Sequence, residues 1–230
     1  RRAFESGQVQ VQLWQLRDFA EGAYRRVDDR PFGGGPGMVM LPGPLEACLQ
    51  AIRAERADDA PTVLFSPVGR RLDHAAVAEW STGAGAVLVC GRYEGIDQRF
   101  IDTHVDIQLS LGDFVLSGGE IAALALLDAV ARLQPGVLND AGSHQLDSFN
   151  PQLDGLLDCP HYTRPETWET GGQALAVPPV LLSGHHAQIE RWRRDQRLQL
   201  TARNRPDLIA AARRAGYLSA QDEDVLADSR

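Results

Sequence analysis

Ala86-Val87-Leu88-Val89-Cys90-Gly91-Arg92-Tyr93-Glu94-Gly95-Ile96-Asp97 is the stretch on which the fold turns. Five apolar residues, two of them valine, stand between Gly85 and Gly91, the pattern of a buried strand. The strand empties into a loop carrying Arg92, Tyr93, Glu94 and Asp97, too many functional side chains for a plain connector. A second run, Val105 to Leu109, empties into Ser110-Leu111-Gly112-Asp113-Phe114-Val115-Leu116-Ser117-Gly118-Gly119-Glu120, and a helix follows. Thr62-Val63-Leu64-Phe65 reads as a third buried strand, stopping at Ser66-Pro67-Val68-Gly69-Arg70. Strands alternating with helices predict an α/β fold with a parallel sheet and helices on its faces. Ligands of such sheets sit outside the carboxyl ends of the strands, where glycine lets backbone groups come close. The three exits therefore predict a ligand pocket.

Outward from this core the chain predicts further elements. Residues Val9 to Leu13 alternate glutamine with apolar side chains, as a half-exposed strand does. Asp28-Asp29-Arg30-Pro31-Phe32-Gly33-Gly34-Gly35-Pro36-Gly37 is a loop, read either as a substrate-binding loop or as a tight turn with solvated acids. Leu45, Cys48, Leu49 and Ile52 fall on one face of a helix from Pro44 to about Arg56, and a short helix spans Asp73 to Trp80. Ser117 and Glu120 have capping-box spacing, opening a helix that runs to Leu133 before Pro135-Gly136 ends it. Asn139 to Asn150 is polar and aperiodic, as an interdomain linker is. Beyond a proline-interrupted segment from Pro160 to Pro179, Ser183 caps a helix to about Leu200, Pro206 starts one ending near Gly216, and Ser219 with Asp222 opens the last.

The chain has 230 residues, 43% of them hydrophobic, enough for a real core in one or two domains. Its longest wholly apolar run, Ile121 to Leu127, is far short of the roughly 20 residues of a membrane span, so no membrane partner is expected. Cys48, Cys90 and Cys159 have no paired spacing, which argues against a disulfide framework and fits a cytoplasmic setting. The chain opens on Arg1 rather than methionine, which leaves room for an upstream piece or a removed targeting segment. No loop carries Gly-x-Gly-x-x-Gly, and the glycine loop lacks the Lys-Ser/Thr of a phosphate loop, so dinucleotide and triphosphate chemistry are excluded. His185 and His186 are adjacent, and Cys159 with His161 lacks a second pair, so no metal ligands are assigned. Net charge is −8, yet all 23 basic residues are arginine. Eight of them, from Arg191 to Arg214, share a C-terminal stretch with only Glu190, Asp195 and Asp207, which reads equally as a phosphate-binding surface or a solvated helix face.

Five motifs in order resemble the bacterial tRNA (guanine-N1)-methyltransferase family. They are Asp28-Asp29-Arg30-Pro31 with its glycine loop, Cys90 to Asp97, Gly112 to Glu120, Leu156-Leu157-Asp158-Cys159-Pro160-His161-Tyr162-Thr163-Arg164-Pro165, and Val177-Pro178-Pro179-Val180-Leu181-Leu182-Ser183-Gly184. The likeness extends from about Leu16 to Trp192. His185 stands where that family often has asparagine, and the family's first strand would precede Arg1. The resemblance implies a knotted methyltransferase domain over 1–138, in which a C-terminal trefoil knot holds S-adenosylmethionine, a linker over 139–152, and a small, mainly helical tRNA-binding domain over 153–230. It implies methylation of the guanosine at tRNA position 37 beside the anticodon, by an obligate homodimer with active sites at the subunit interface.

Carried over by motif, the cofactor residues would be Leu64 and Pro67 at the first exit, Gly91, Tyr93 and Glu94 at the second, and Ser110, Leu111, Gly112, Asp113, Phe114, Val115, Leu116, Gly118 and Gly119 at the third. Asp147 matches the family's general base and Arg132 its charge stabiliser; Asp140, Asp154 and Asp158 are rival bases. Asp28 matches a residue that the family uses to recognise the guanine pair at the target, and the C-terminal arginines would hold the anticodon arm. A divalent ion such as magnesium is compatible with the reaction, and the linker is expected to close over a flipped guanine. Two alternatives remain: a related knotted enzyme acting on another RNA position, such as a ribose hydroxyl, or a noncatalytic RNA-binding protein of the same fold.

Overall fold

The structure is a computed structural model that describes residues 2–137 and 144–228. The chain divides into two compact units, 1–137 and 138–230.

The first unit opens on the short helix α1 (Arg2–Glu5) and is built on a parallel sheet. Strand β3 (Thr62–Arg71) lies between β4 (Val87–Val89) and β5 (Ile107–Ser110). Val63 faces Leu88 and Ile107 in register, and Leu64 faces Val89 and Gln108. Successive side chains of a strand point to opposite faces, and the two cores follow that rule. Leu64 and Val87 join Met40, Leu45, Leu49, Ile96 and Phe100 on one face. Val63 and Leu109 join Leu126, with Trp80, Leu88 and Val130, on the other. The first face is covered by α2 (Pro42–Arg56) and α4 (Gln98–His104), the second by α3 (His74–Thr82) and α5 (Glu120–Arg132). Helices on both faces of a parallel sheet are thus observed, as the strand and helix alternation predicts.

Several local expectations change. Val9 to Leu13 forms no strand, because alternation supplies two side-chain faces but no hydrogen-bonding edge comes alongside; Leu13 is 90% exposed. Helix α2 starts two residues early, since Pro42, not Pro44, takes the first position, where its missing N–H costs nothing. Strand β3 does not stop at Ser66. It bulges between Phe65 and Arg70 and resumes beside Leu109 and Ser110, so the first exit is a bulge within a strand. Helix α4 was not foreseen; Asp97 caps it by accepting the Arg99 N–H at 3.0 Å. Ser117 does not cap α5. Gly119 holds the cap position with no side-chain bond, and Glu120 turns away to Arg92.

The short strands β1 (Asp28–Asp29) and β2 (Val39–Met40) pair across the glycine loop, Asp28 opposite Met40. Met40 in turn bridges to Ile96.

In the second unit, α7 (His186–Asn204) packs with α8 (Pro206–Arg214) and α9 (Ala220–Asp228) around Leu156, Leu198, Ile209, Ala212 and Leu226. Ser219 and Asp222 exchange the two bonds of a capping box at α9, at 3.2 and 3.0 Å. Ser183 does not open α7. It follows α6 (Pro179–Leu182), and His185 holds the cap position of α7. The proline-interrupted segment contains an unforeseen hairpin, β6 (Thr167–Thr170) and β7 (Gln173–Ala176), turned by Gly171-Gly172 with φ of 58° and 75°. Both residues need positive φ there, which glycine adopts without strain. Residues 139–143 of the expected linker lie outside the described residues, and so does Asp140. From His144 onward the chain is tied into the second unit: Asn150 Nδ2 donates to His144 O, and Leu153 and Leu156 are buried. Among the described residues, no helix is long and apolar enough to cross a membrane.

Candidate active site

The three strand exits meet at the carboxyl end of the sheet. Gly119 N donates to Gly91 O at 2.9 Å, and Gly118 forms an antiparallel bridge with Arg92. The third exit therefore lies against the second, backbone to backbone. The close approach depends on glycine: a Cβ at Gly119 would lie 2.8 Å from Cys90 Cα and 3.2 Å from Gly91 N. At Gly118 a Cβ would meet Glu120 Oε2 and lie 3.0 Å from Arg92 Nε. Leu64 Cδ1 approaches the Cβ position of Gly91 to 3.8 Å, which brings the first exit to the other two. Ser110 closes its own loop, its hydroxyl accepting Gly112 N–H at 3.1 Å, and Phe114 N donates to Gly112 O at 2.9 Å.

Leu64, Gly91, Gly118 and Gly119 are thus brought together, with Ser110, Gly112 and Phe114 forming one tight loop. Tyr93 is exposed with φ of 61°, and Asp113 pairs at 3.7 Å with Arg71 on the resumed part of β3. Pro67 lies on the bulge, Val115 is exposed, and Leu111 and Leu116 are half-buried. Glu94 packs beside Gly37, and its N–H donates to Met38 O at 3.0 Å. The glycine loop therefore borders the second exit, and Asp28, half-buried, stands one strand from Met40, which receives the Ile96 bridge. Met38, Met40, Ile96 and the Arg92–Glu120 pair at 2.8 Å were missed in the sequence, because only pairing across distant segments puts them here.

Electrostatics narrow the chemistry. Burial, with Glu120 adding to it against Arg92, pushes the Cys90 thiol up to about 11. It stays protonated near neutrality and is no nucleophile. A polar backbone cradle with apolar walls at Leu64 and Ile96 suits an adenine-bearing ligand, because main-chain groups can bond the ring edge where no Cβ intervenes. The residues present therefore fit S-adenosylmethionine.

Gly119→Ala puts the added methyl against backbone atoms that cannot turn aside. It is expected to cost about 1–3 kcal/mol in urea unfolding and to abolish any rise in melting temperature given by S-adenosylmethionine. Gly83→Ala, at the C-cap of α3 with φ of −80° and only ordinary contacts from 3.7 Å outward around its Cβ position, is the control and should be neutral. Equal stability and equal ligand response of the two variants would refute the close-approach reading.

Arg132 is the last residue of α5 and is exposed, in the first unit. Asp147 belongs to the second, half-buried in a turn held by its neighbours' bonds. Asn150 N donates to Asp147 O at 3.2 Å, Phe149 N to Leu156 O at 2.9 Å, and Asp158 N to Ser148 Oγ at 2.9 Å. The rival bases differ. Asp154 is paired with Arg194 at 2.5 Å, and Asp158 with His161 at 2.8 Å and with buried Arg197 at 3.5 Å.

The C-terminal arginines are more committed than their charge suggests. Arg191 and Arg194 pair with buried Asp222, Arg197 with Asp158, Arg193 with Glu190, Arg205 with Asp207 and Arg213 with Glu223. Among the described residues, Arg203 and Arg214 make no ion pair.

Comparison with known proteins gives the same direction. The family described as tRNA (Guanine-1)-methyltransferase TrmD matches residues 1–211. A tRNA (guanine-N(1)-)-methyltransferase of Paracidovorax citrulli is 73% identical over 99% of this chain and 89% of its own length. The protein of that name from Polaromonas is 72% identical over 99% of this chain and 88% of its own, and that from Bordetella parapertussis 57% identical over 98% and 88%. With its glycine-built cradle at the strand exits and these likenesses along almost its whole length, the chain belongs to the tRNA (guanine-1)-methyltransferase family.

Proposed function

We propose that the protein transfers the methyl group of S-adenosylmethionine to N1 of the guanosine at tRNA position 37, beside the anticodon. Family membership over nearly the whole chain is the observation that carries this reading. The first unit, with its linker-side boundary near residue 138, holds the methyl donor at Leu64, Pro67, Gly91, Tyr93, Glu94 and the 110–119 loop. The chain is threaded there as a trefoil knot, a reading that rests on the family likeness. The second unit, beyond a linker over 139–152, holds the anticodon arm, with Arg203 and Arg214, which make no ion pair among the described residues, as cations for its phosphates.

When bound, the cofactor supplies an electrophilic methyl on a sulfonium. The chain's residues prepare the acceptor. Guanine N1 bears a proton and is not nucleophilic until that proton leaves. Asp147 takes it as general base, and Arg132 donates to O6, where the negative charge develops. Asp28, beside the second exit, contacts the target guanine.

The active form is a homodimer with its active sites at the subunit interface, where the cofactor of one subunit meets Arg132 and Asp147 of the partner chain. Exposed apolar residues around the site support it: Phe114, Val115, and Ile121 with Leu124 on one face of α5, the last 64% exposed. A cytoplasmic location follows from the tRNA substrate.

The test is methyl transfer to tRNA transcripts that differ only at position 37. Guanosine is expected to be labelled and adenosine not; equal labelling of both would overturn the assignment of the target and favour an enzyme acting elsewhere on the RNA.

A further inference from the structure

Beside the second unit's core, Asp158, Cys159 and His161 converge. One carboxylate oxygen, the thiol sulfur and one ring nitrogen lie within 4.8 Å of one another. We propose that these three side chains form a zinc site; the proposal does not rest on the reading given for methyl transfer.

Three features of the geometry support a site rather than a chance meeting. First, Asp158 is oriented from behind. Its Oδ1 accepts the Cys159 N–H at 2.7 Å and faces Arg197 Nε at 3.5 Å, so Oδ2 is the oxygen turned to His161. Ligating carboxylates are commonly fixed in this way by outer hydrogen bonds. Second, the backbone is anchored on both sides of the cluster: Asp158 N donates to Ser148 Oγ, and Leu157 N to Thr201 Oγ1 on α7 at 3.1 Å. Third, Cys159 is buried while His161 is 76% exposed, so an ion can enter from solvent and keep a water as its fourth ligand.

The donor set selects the metal. Sulfur, nitrogen and oxygen together suit a borderline ion such as zinc, whereas magnesium takes oxygen donors. Ligand atoms on a tetrahedral zinc lie roughly 3–4 Å apart, so closure by about 1 Å on the His161 and Cys159 side completes the site. Binding would exchange the His161–Asp158 hydrogen bond, 2.8 Å long, for two metal bonds. In the sequence, Cys159 and His161 lacked a second pair; the missing partner is the aspartate next door, which spacing alone does not single out.

Cobalt reads the site directly, because a thiolate ligand gives Co2+ a charge-transfer band in the near ultraviolet. The full chain, stripped of metal and reduced with a non-chelating phosphine, is expected to bind one equivalent with that band and to lose it on adding equimolar Zn2+. Cys159→Ser should abolish the band. His161→Ala, at an exposed position where folding is not at risk, should weaken cobalt binding by more than about tenfold, the loss that even an outer partner's removal can cause. Absence of the band in the unsubstituted chain, its persistence in Cys159→Ser, or unchanged affinity in His161→Ala would each overturn the proposal.

Discussion

Asp147→Ala is expected to lower kcat/KM for methyl transfer to tRNA by roughly 10²–10⁴-fold while leaving the melting temperature and the response to S-adenosylmethionine unchanged. The size follows from the acceptor. N1 holds its proton near neutrality, so without a base the nucleophile is a minor species and the proton must leave to water. The fold should tolerate the change, because the turn that carries Asp147 is fixed by main-chain and neighbouring groups: Asn150 N to Asp147 O, Phe149 N to Leu156 O, and Asp158 N to Ser148 Oγ. The cofactor residues all lie in the other unit. Steady-state kinetics with saturating cofactor, alongside a thermal melt, separates the two effects. Near wild-type turnover would eliminate Asp147 as the base. A loss of activity matched by a loss of stability would make it a structural residue instead.

The second large effect concerns Asp222, whose substitution by alanine should cost about 3–5 kcal/mol in urea unfolding of the full chain. Its side chain is only 4% exposed and meets Arg191 Nη1 at 3.0 Å and Arg194 Nη2 at 3.2 Å. Arg194 also holds Asp154, and Arg191 holds Asp195, so one carboxylate ties the start of α9 to α7 and to the turn at 154. Removing it strands two guanidinium groups beside the core and deletes half of the α9 capping box. Asp222→Asn, which can still accept the Ser219 N–H, should cost less. A penalty within about 1 kcal/mol for the alanine variant would mean that the arginines find water or other acids instead.

The same carboxylate gives a pH dependence. Burial would raise the Asp222 carboxyl, but the Ser219 N–H and the Arg194 guanidinium outweigh it and hold it at about 2, below its ordinary 3.8. A carboxyl depressed by folding adds stability that is complete above the unfolded value and disappears as pH falls through the folded one. About 2 kcal/mol should therefore be lost between pH 5 and 1, most of it between pH 4 and 2, and this component should be missing in Asp222→Ala.

What the amino-acid sequence determined by itself was local or periodic. The three strand cores at Val63, Val87 and Leu109 and the apolar face of α2 are readable because a strand buried on both faces is an unbroken apolar run and a helix buries every third or fourth residue. The Ser219–Asp222 box is readable because both partners lie within one turn. The order of the five motifs was enough for the family. What tertiary structure alone decided involves choices between partners far apart in the chain. Glu120 has the spacing to cap its own helix, yet it bonds Arg92, which the bridge between Arg92 and Gly118 brings beside it. Val9 to Leu13 alternates as a strand should, yet a strand exists only where another edge meets it. The arginines of α7 look like a phosphate surface in one dimension, yet Arg191, Arg194 and Arg197 are spent on aspartates at 154, 158 and 222. Charge and pattern are properties of single residues and short windows, whereas a hydrogen bond or ion pair forms with whichever group the packed backbone brings within 3 Å, and that is set by contacts the sequence does not write side by side.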